Sequence, residues 1–262
     1  MARRNLKGSR ALITGASSGI GWHLALELSR QGVEVLVTAR RESRLRELAE
    51  LISRPGGTCH IQAGDISLET TRQSLVEFVA SHWGGLDLLV NCAGVGAVGA
   101  FAEASSERLR RIFEINFFAA AELMRSTIPL LRNGRDAVIV NISSVLGHRA
   151  VPLKSEYCAS KFALHGFSDA LRAELARDGI GVLLVSPSTT DSEFFDVMLE
   201  DRAPRDWKGR RPMPPERVAR IAVQAIRARK HEVILSAGGR ALVWLDRLLP
   251  RLADRLIARW FQ

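Results

Sequence analysis

Tyr157 and Lys161 stand four residues apart in Tyr157-Cys158-Ala159-Ser160-Lys161. On a helix that spacing puts a phenol and an ammonium on one face. A free tyrosine titrates near ~10, too high for easy proton exchange at neutral pH, and an adjacent cation lowers that value by stabilising the phenolate. The pair reads either as a proton donor and acceptor or as an ordinary surface pair. Ser144 precedes the tyrosine by thirteen residues and Ser143 by fourteen, at the end of a strand-like run. A hydroxyl there sits where ligands bind in sheet-and-helix folds.

A second constellation is Thr14-Gly15-Ala16-Ser17-Ser18-Gly19-Ile20-Gly21, between an apolar run and a helical stretch. Its glycines let the backbone turn tightly and approach a pyrophosphate, and the helix start offers unpaired N–H groups to that anion. The spacing is G-x-x-x-G-x-G, and its place between a strand and a helix favours this reading over a plain strand-to-helix turn. The next strand ends Val37-Thr38-Ala39-Arg40-Arg41. A dinucleotide with a free ribose 2′-hydroxyl calls for an acid at that tip. Two guanidiniums suit a 2′-phosphate instead, unless they are a solvated pair opening a charged helix. Asp65, in Gly64-Asp65-Ile66, either lies beside an adenine or caps the following helix.

Apolar runs alternate with helical stretches along the chain. Strands are predicted at Ala11–Thr14, Val33–Thr38, Thr58–Gln62, Leu86–Val90, Ala137–Ile142, Ile180–Val185 and Val233–Leu235. Helices are predicted at Gly19–Gln31, Ser43–Ile52, Leu68–His82, Ser106–Leu131, Glu156–Arg177 and Pro215–Arg229. Uninterrupted apolar strands alternating with helices imply a parallel sheet covered on both faces. Right-handed crossovers make it a doubly wound α/β fold of the Rossmann type, with about seven strands. We read one domain over residues 8–236 and a helical extension over 237–262.

With 262 residues, 47% hydrophobic and 25% charged, the chain can bury a substantial core. No apolar run reaches the ~18 residues of a membrane span. The basic N-terminus lacks a following apolar segment, which argues against a secretory leader. Three scattered cysteines form no metal or disulfide pattern, so free thiols, no metal site and a cytoplasmic location are expected. The net charge is +9, yet with one tyrosine there is no aromatic-interleaved basic stripe for stacking bases, so nucleic acid is not expected as a partner. His148 reads as a solvated loop residue or a substrate contact, and His165 as a packing residue.

At this point the sequence resembles the short-chain dehydrogenase/reductase family over about residues 8–235. The motifs that carry the resemblance are TGASSGIG at 14–21, Asp65, Asn91-Cys92-Ala93-Gly94, Asn116, Ile142-Ser143-Ser144, Tyr157-x-x-x-Lys161 and Ser186-Pro187. It implies hydride transfer between NADP(H) and a carbonyl or secondary alcohol. It assigns Tyr157 as proton donor, and gives Lys161 the nicotinamide ribose and the lowering of the Tyr157 pKa. Ser144 binds the substrate oxygen, and Asn116 holds a proton-relaying water. The implied cofactor contacts are Gly15, Ser17, Ser18, Gly19, Ile20, Gly21, Arg40, Arg41, Asp65, Ile66, Asn91, Ala93, Gly94, Tyr157, Lys161, Pro187 and Thr190. It also implies a homodimer or homotetramer, often through the helices carrying Asn116 and Tyr157. Three departures stand out: Cys92 replaces the usual second Asn, Ser188 follows Pro187 where a Gly is usual, and Thr189-Thr190-Asp191-Ser192 stands where the family often has a Val and a Thr facing the carboxamide. A non-catalytic NADP-binding sensor or scaffold on the same fold is the alternative.

Three segments are expected to shape the substrate pocket: Val95–Val98, Leu146–Leu153, and a lid from Thr189 to about Pro214. Their Val98, Leu146, Val151, Phe194, Phe195, Met198, Leu199 and Trp207 suit a hydrophobic ketone or aldehyde. In 241–261 the residues Leu245, Leu248, Leu249, Leu252, Leu256 and Trp260 recur at helical spacing beside Arg247, Arg251, Arg255 and Arg259. Pro250 is expected to divide the stretch into two short helices. Such a pattern suits either peripheral contact with an anionic membrane or packing on the chain's own domain or a partner subunit.

Overall fold

Adjacent apolar residues in each central strand serve opposite faces of one sheet. Leu12 joins the core under one helical layer, and Ile13 the core under the other. The structure, a computed structural model, describes residues 3–191, 193–195, 198–200 and 212–260. Among them lie β1 (Arg10–Thr14), β2 (Glu34–Ala39), β3 (Cys59–Ala63), β4 (Leu88–Asn91), β5 (Val138–Ile142), β6 (Gly181–Ser186) and β7 (Glu232–Ile234). They form a parallel sheet in the order β3-β2-β1-β4-β5-β6-β7. Register pairs Ile13 with Val37 on one side and Val90 on the other, and Val90 with Val140.

Helices α1 (Gly19–Arg30) and α2 (Glu42–Ser53) cover one face, together with α7 (Pro215–Arg227). The other face carries α3 (Glu69–Phe78), α5 (Ala119–Arg132) and α6 (Ser155–Glu174). The strand order reverses between β1 and β4, which opens a crevice at their carboxyl ends. Thr14-Gly15 and Cys92-Ala93-Gly94 leave the sheet there.

The single long helix expected over Ser106–Leu131 is instead α4 (Ser106–Phe113), a π-helical segment Glu114–Phe118, and α5. The wider turn aims Asn116 inward, where its side chain meets Val95 and Ser160. Likewise, the stretch expected as Leu68–His82 is α3 followed by a π-helical Val79–Trp83. Helix α6 ends in a 3-10 turn, Leu175–Asp178, closed by Gly179 at φ 70°. The last elements are α8 (Ala237–Leu248) and α9 (Pro250–Trp260). Leu249 leaves helical geometry at φ −138° and ψ 62°, as a residue before proline must.

Candidate active site

The Gly-rich loop lies directly on the end of β4. Gly15 has φ 68°, and a Cβ there would fall 2.7 Å from the Ala93 nitrogen. A Cβ on Gly21 would fall 2.3 Å from the Gly15 oxygen. The Thr14 hydroxyl accepts from the N–H groups of Cys92 (3.0 Å) and Ala93 (3.1 Å), fastening the two strand ends together. Its signal in the sequence is a hydroxyl closing an apolar strand. At the N-cap of α1, Ser18 makes no side-chain cap, and the first turn holds no acid. A helix start without a side-chain cap or an acid suits an anion such as a dinucleotide pyrophosphate.

At the end of β2, Arg41 turns back onto this loop. Its Nε lies 3.2 Å from Ser17 Oγ and its Nη2 3.2 Å from the Ser17 carbonyl. Its Nη1 pairs with Glu193 at 2.6 Å, and Arg44 Nη2 stands 3.9 Å from the same carboxylate. Arg40 is exposed. The cationic site is thus built by Arg41 and Arg44, one helical turn apart, with a lid carboxylate seated on both. Sequence reasoning missed Arg44 and Glu193.

Asp65 does not cap α3, because Leu68 holds that position. Its Oδ1 accepts from the Ser67 amide (2.9 Å) and hydroxyl (2.7 Å), and its Oδ2 pairs with Arg111 at 2.9 Å. Partial burial pushes its pKa up, but the Ser67 and Arg111 contacts together hold it below the usual carboxylate value. Ile66 is buried in the core. Asn91, closing β4, donates to Asn141 Oδ1 at 2.8 Å, and Asn141 donates to Ser168 at 2.9 Å. Asn91 Oδ1 and the Ser143 hydroxyl are buried without a hydrogen bond among the described residues. Such an atom costs roughly 1–3 kcal/mol until a ligand or water completes it.

The reacting groups converge at the end of β5. Ser144 stands beside the Tyr157 phenol, close enough to moderate its pKa, and Ser144 Oγ accepts from the Leu146 amide at 3.1 Å. Lys161 Nζ donates to the Ile142 carbonyl at 2.9 Å and lies 5.7 Å from the Tyr157 ring centre. Lys161 is 5% exposed, and burial lowers its pKa to about 8. The expectation that Lys161 lowers the Tyr157 pKa is not met in this arrangement. Burial raises Tyr157 above its ordinary value and the nearby Ser144 hydroxyl only moderates the rise. The lysine's charge is directed at Ile142, so Tyr157 is held as a neutral phenol, the form that donates a proton.

Asn116 braces this centre. Its Nδ2 donates to the Val95 carbonyl (2.9 Å) and Ser160 Oγ (3.0 Å), and its Oδ1 accepts from the Val95 amide at 2.8 Å. The side chain is occupied by these contacts. Cys92 sits near Lys161, and burial pushes its thiol up to about 12, leaving it neutral. After β6, the Pro187 carbonyl accepts from the Val145 amide at 2.9 Å, and Thr190 donates to the Ser188 carbonyl at 3.2 Å.

The three segments expected around a substrate meet. The Leu199 amide donates to Gly96 and the Val98 amide to Glu200, both at 2.9 Å, while the Gly99 amide donates to Leu153. Phe194 packs over the site: its ring centre is 5.7 Å from that of Tyr157, and a Cβ on Gly96 would strike it at 2.8 Å. Val98 is buried and Leu199 exposed. Trp207 and the side chain of Phe195, also expected here, lie outside the described residues.

Two buried polar groups support the loop and helix that carry these residues. His148, expected in solvent, has a side chain only 2% exposed. Its Nε2 lies 2.9 Å from Glu232 and 3.0 Å from Ser186 Oγ, and its ring packs edge-on against His165 at 4.3 Å. The His148 contact holds Glu232 below its ordinary pKa. Arg108 of α4 donates to Glu156 at 2.6 Å and to Glu200 at 2.5 Å, tying the first turn of α6 to the lid. Its side chain and that of Glu156 are almost fully buried. Removing one partner of a buried pair leaves an uncompensated charge. Arg108→Leu is therefore expected to destabilise the protein by about 3–5 kcal/mol in urea unfolding; a change within 1 kcal/mol would show that the pair is dispensable.

Comparison with known proteins bears on this arrangement. The family model described as short chain dehydrogenase matches residues 9–203. An uncharacterized oxidoreductase of Bacillus subtilis, YusZ, is 36% identical over 74% of this chain and 72% of its own length. The ketoacyl reductase HetN of Nostoc is 30% identical over 98% of this chain and 90% of its own. Among solved structures, a short chain dehydrogenase/reductase from Burkholderia phymatum in complex with NAD superposes with a TM-score of 0.85 at 24% identity, covering 95% of this chain and 96% of that one. An alcohol dehydrogenase from the archaeon Thermococcus sibiricus, complexed with 5-hydroxy-NADP, gives 0.78 at 22% identity, covering 87% and 96%. The chain belongs to the short chain dehydrogenase family of oxidoreductases.

Proposed function

We propose that the protein is an NADPH-dependent reductase of a hydrophobic ketone or aldehyde. The carrying observation is the convergence of Tyr157, Ser144 and Lys161 beneath the Phe194 ring. The cofactor, when bound, supplies the hydride. The chain does the rest. Ser144 and Tyr157 hold the substrate oxygen between two hydroxyls, and Tyr157 gives it a proton from its phenol Oη. Lys161 binds the nicotinamide ribose and returns a proton toward Tyr157. Asn116 holds the water that links Lys161 to solvent. Phe194 and Val98 exclude water from the oxygen, which strengthens each of these contacts.

Gly15, Ser17, Ser18, Gly19, Ile20 and Gly21 would hold the pyrophosphate, and Asp65 and Ile66 the adenine. Asn91, Ala93, Gly94, Pro187 and Thr190 line the remainder. The preference for NADP rests on Arg40, Arg41 and Arg44, with no acid at the tip of β2. Replacing Arg40 and Arg41 by Ala is expected to raise KM for NADPH at least ten-fold, since each charge-assisted contact contributes roughly 1.5–3 kcal/mol. KM for NADH should stay within two-fold. Glu193→Gln should act oppositely, lowering KM for NADPH by freeing Arg41. Equal shifts for both cofactors would refute the assignment.

Assembly is proposed through α4, α5 and α6. Phe101, Phe118 and Phe162 are exposed, and an open groove of about 670 Å³ runs past Phe113, Phe118 and Ala159. Among the described residues no helix is long and apolar enough to cross a membrane. Cys59, Cys92 and Cys158 are free thiols, in keeping with a cytoplasmic location. The test of function is oxidation of NADPH, and separately of NADH, against a panel of aliphatic and aromatic ketones and aldehydes. Turnover of apolar members with NADPH is expected; binding without any turnover would favour a sensor.

A further inference from the structure

Helices α8 and α9 present one continuous apolar stripe to solvent. Trp244 is 57% exposed, Leu248 71% and Leu249 54%, and Leu252 and Leu256 continue the row across the Pro250 break. The opposite side of the pair is buried: Val243 and Ala253 are covered, and a Cβ on Gly239 would meet Val145 at 2.7 Å. The helices thus sit against the loop that follows Ser144. Arg149 of that loop clasps both acids of the pair, Asp246 at 2.8 Å and Asp254 at 2.5 Å. Both carboxylates are engaged by Arg149, though Asp254 stays exposed, so the charge of the outer face is predominantly cationic. Arg247, Arg251, Arg255 and Arg259 are exposed; the Glu232 carboxylate lies near enough to feel Arg247.

From this arrangement we infer that α8 and α9 dock the protein on an anionic lipid surface. The leucines and Trp244 enter the headgroup boundary, and the arginine row meets its negative charge. A second copy is the poorer occupant, because a two-fold contact through this face would set each arginine row near its own image. An anionic bilayer satisfies the apolar stripe and the cations together. Docking by this face also holds the Val145–Leu153 loop, and hence the substrate entrance, close to the lipid. The inference does not depend on the reductase assignment.

The experiment is co-sedimentation of the full chain with vesicles of phosphatidylcholine alone or mixed with phosphatidylglycerol, at low and high salt. Binding is expected only with the anionic lipid, and should weaken with salt. Arg251→Gln with Arg255→Gln should lower the partition coefficient roughly thirty-fold, on the order of five-fold for each arginine. Leu248→Gln with Leu252→Gln should reduce it at least as far. All four residues are exposed, so unchanged thermal unfolding of the variants will show that the fold is intact. No sedimentation with anionic vesicles at low salt overturns the inference. So does leucine-pair loss of an oligomer, seen by light scattering, with vesicle binding unaltered; that result assigns the face to a second copy. Turnover of a water-soluble ketone is expected to be the same in every variant, which separates this test from that of the active site.

Discussion

Tyr157→Phe is expected to lower kcat by roughly 10²–10⁴, the range for loss of a positioned general acid. The phenyl ring keeps its contact with Phe194, and only the hydroxyl beside Ser144 is lost. Folding and the KM for NADPH should therefore change little. A variant with near-native kcat would show that another group donates the proton. The pH profile adds a second readout. Burial lowers the Lys161 pKa to about 8. Its ammonium is present below that pH and lost above it, so kcat/KM for reduction should fall as pH rises past about 8. A profile flat to pH 10 would contradict the role given to Lys161.

Lys161→Met is expected to abolish turnover yet stabilise the protein. The lysine's pKa falls from an ordinary 10.5 to about 8 because its cation is buried. Below about pH 8 both folded and unfolded chains are protonated, and the folded state carries the whole penalty, about 3 kcal/mol. Between about 8 and 10.5 the folded lysine loses its proton while the unfolded one keeps it, and the penalty fades. Methionine fills similar space without the charge. It forfeits the hydrogen bond to Ile142, which contributes about 1 kcal/mol. The net gain near pH 7 is about 2 kcal/mol, or roughly 4–8 °C in Tm for a chain of this size. A lower Tm for the variant at pH 7 would show that the buried ammonium is a structural asset and not a cost borne for chemistry.

What the sequence revealed, and what it concealed, follows one physical line. Strand runs such as Ala11–Thr14 were legible because both faces of the sheet are covered, so every position is apolar. The loop from Gly15 to Gly21 was legible because close backbone approach demands glycine at fixed places. The gathering of Tyr157, Lys161 and Ser144 at the end of β5 was legible because a four-residue helical spacing and a strand end fix where those side chains lie. The π-helical turn at Glu114–Phe118 was not, since one inserted residue hardly disturbs an apolar period of 3.6. Arg108 looks like a surface charge on a polar helix; only the distant Glu156 and Glu200 make it a buried tie. His148 is hidden for the same reason, its partner Glu232 lying two strands later in the chain. The raised Tyr157 pKa was unreadable because burial is a property of the folded site. Spacing suggests the neighbouring cation and says nothing of where its ammonium points.

The central claim is that the chain delivers a hydride from NADPH to a carbonyl carbon at Tyr157. The most direct test is turnover with NADPH carrying deuterium at both C4 positions of the nicotinamide, followed by mass analysis of the alcohol product. The account predicts one deuterium, on the carbinol carbon, formed by the native enzyme and nearly absent with Tyr157→Phe. Product without deuterium, or equal labelling by the Tyr157→Phe variant, would contradict it.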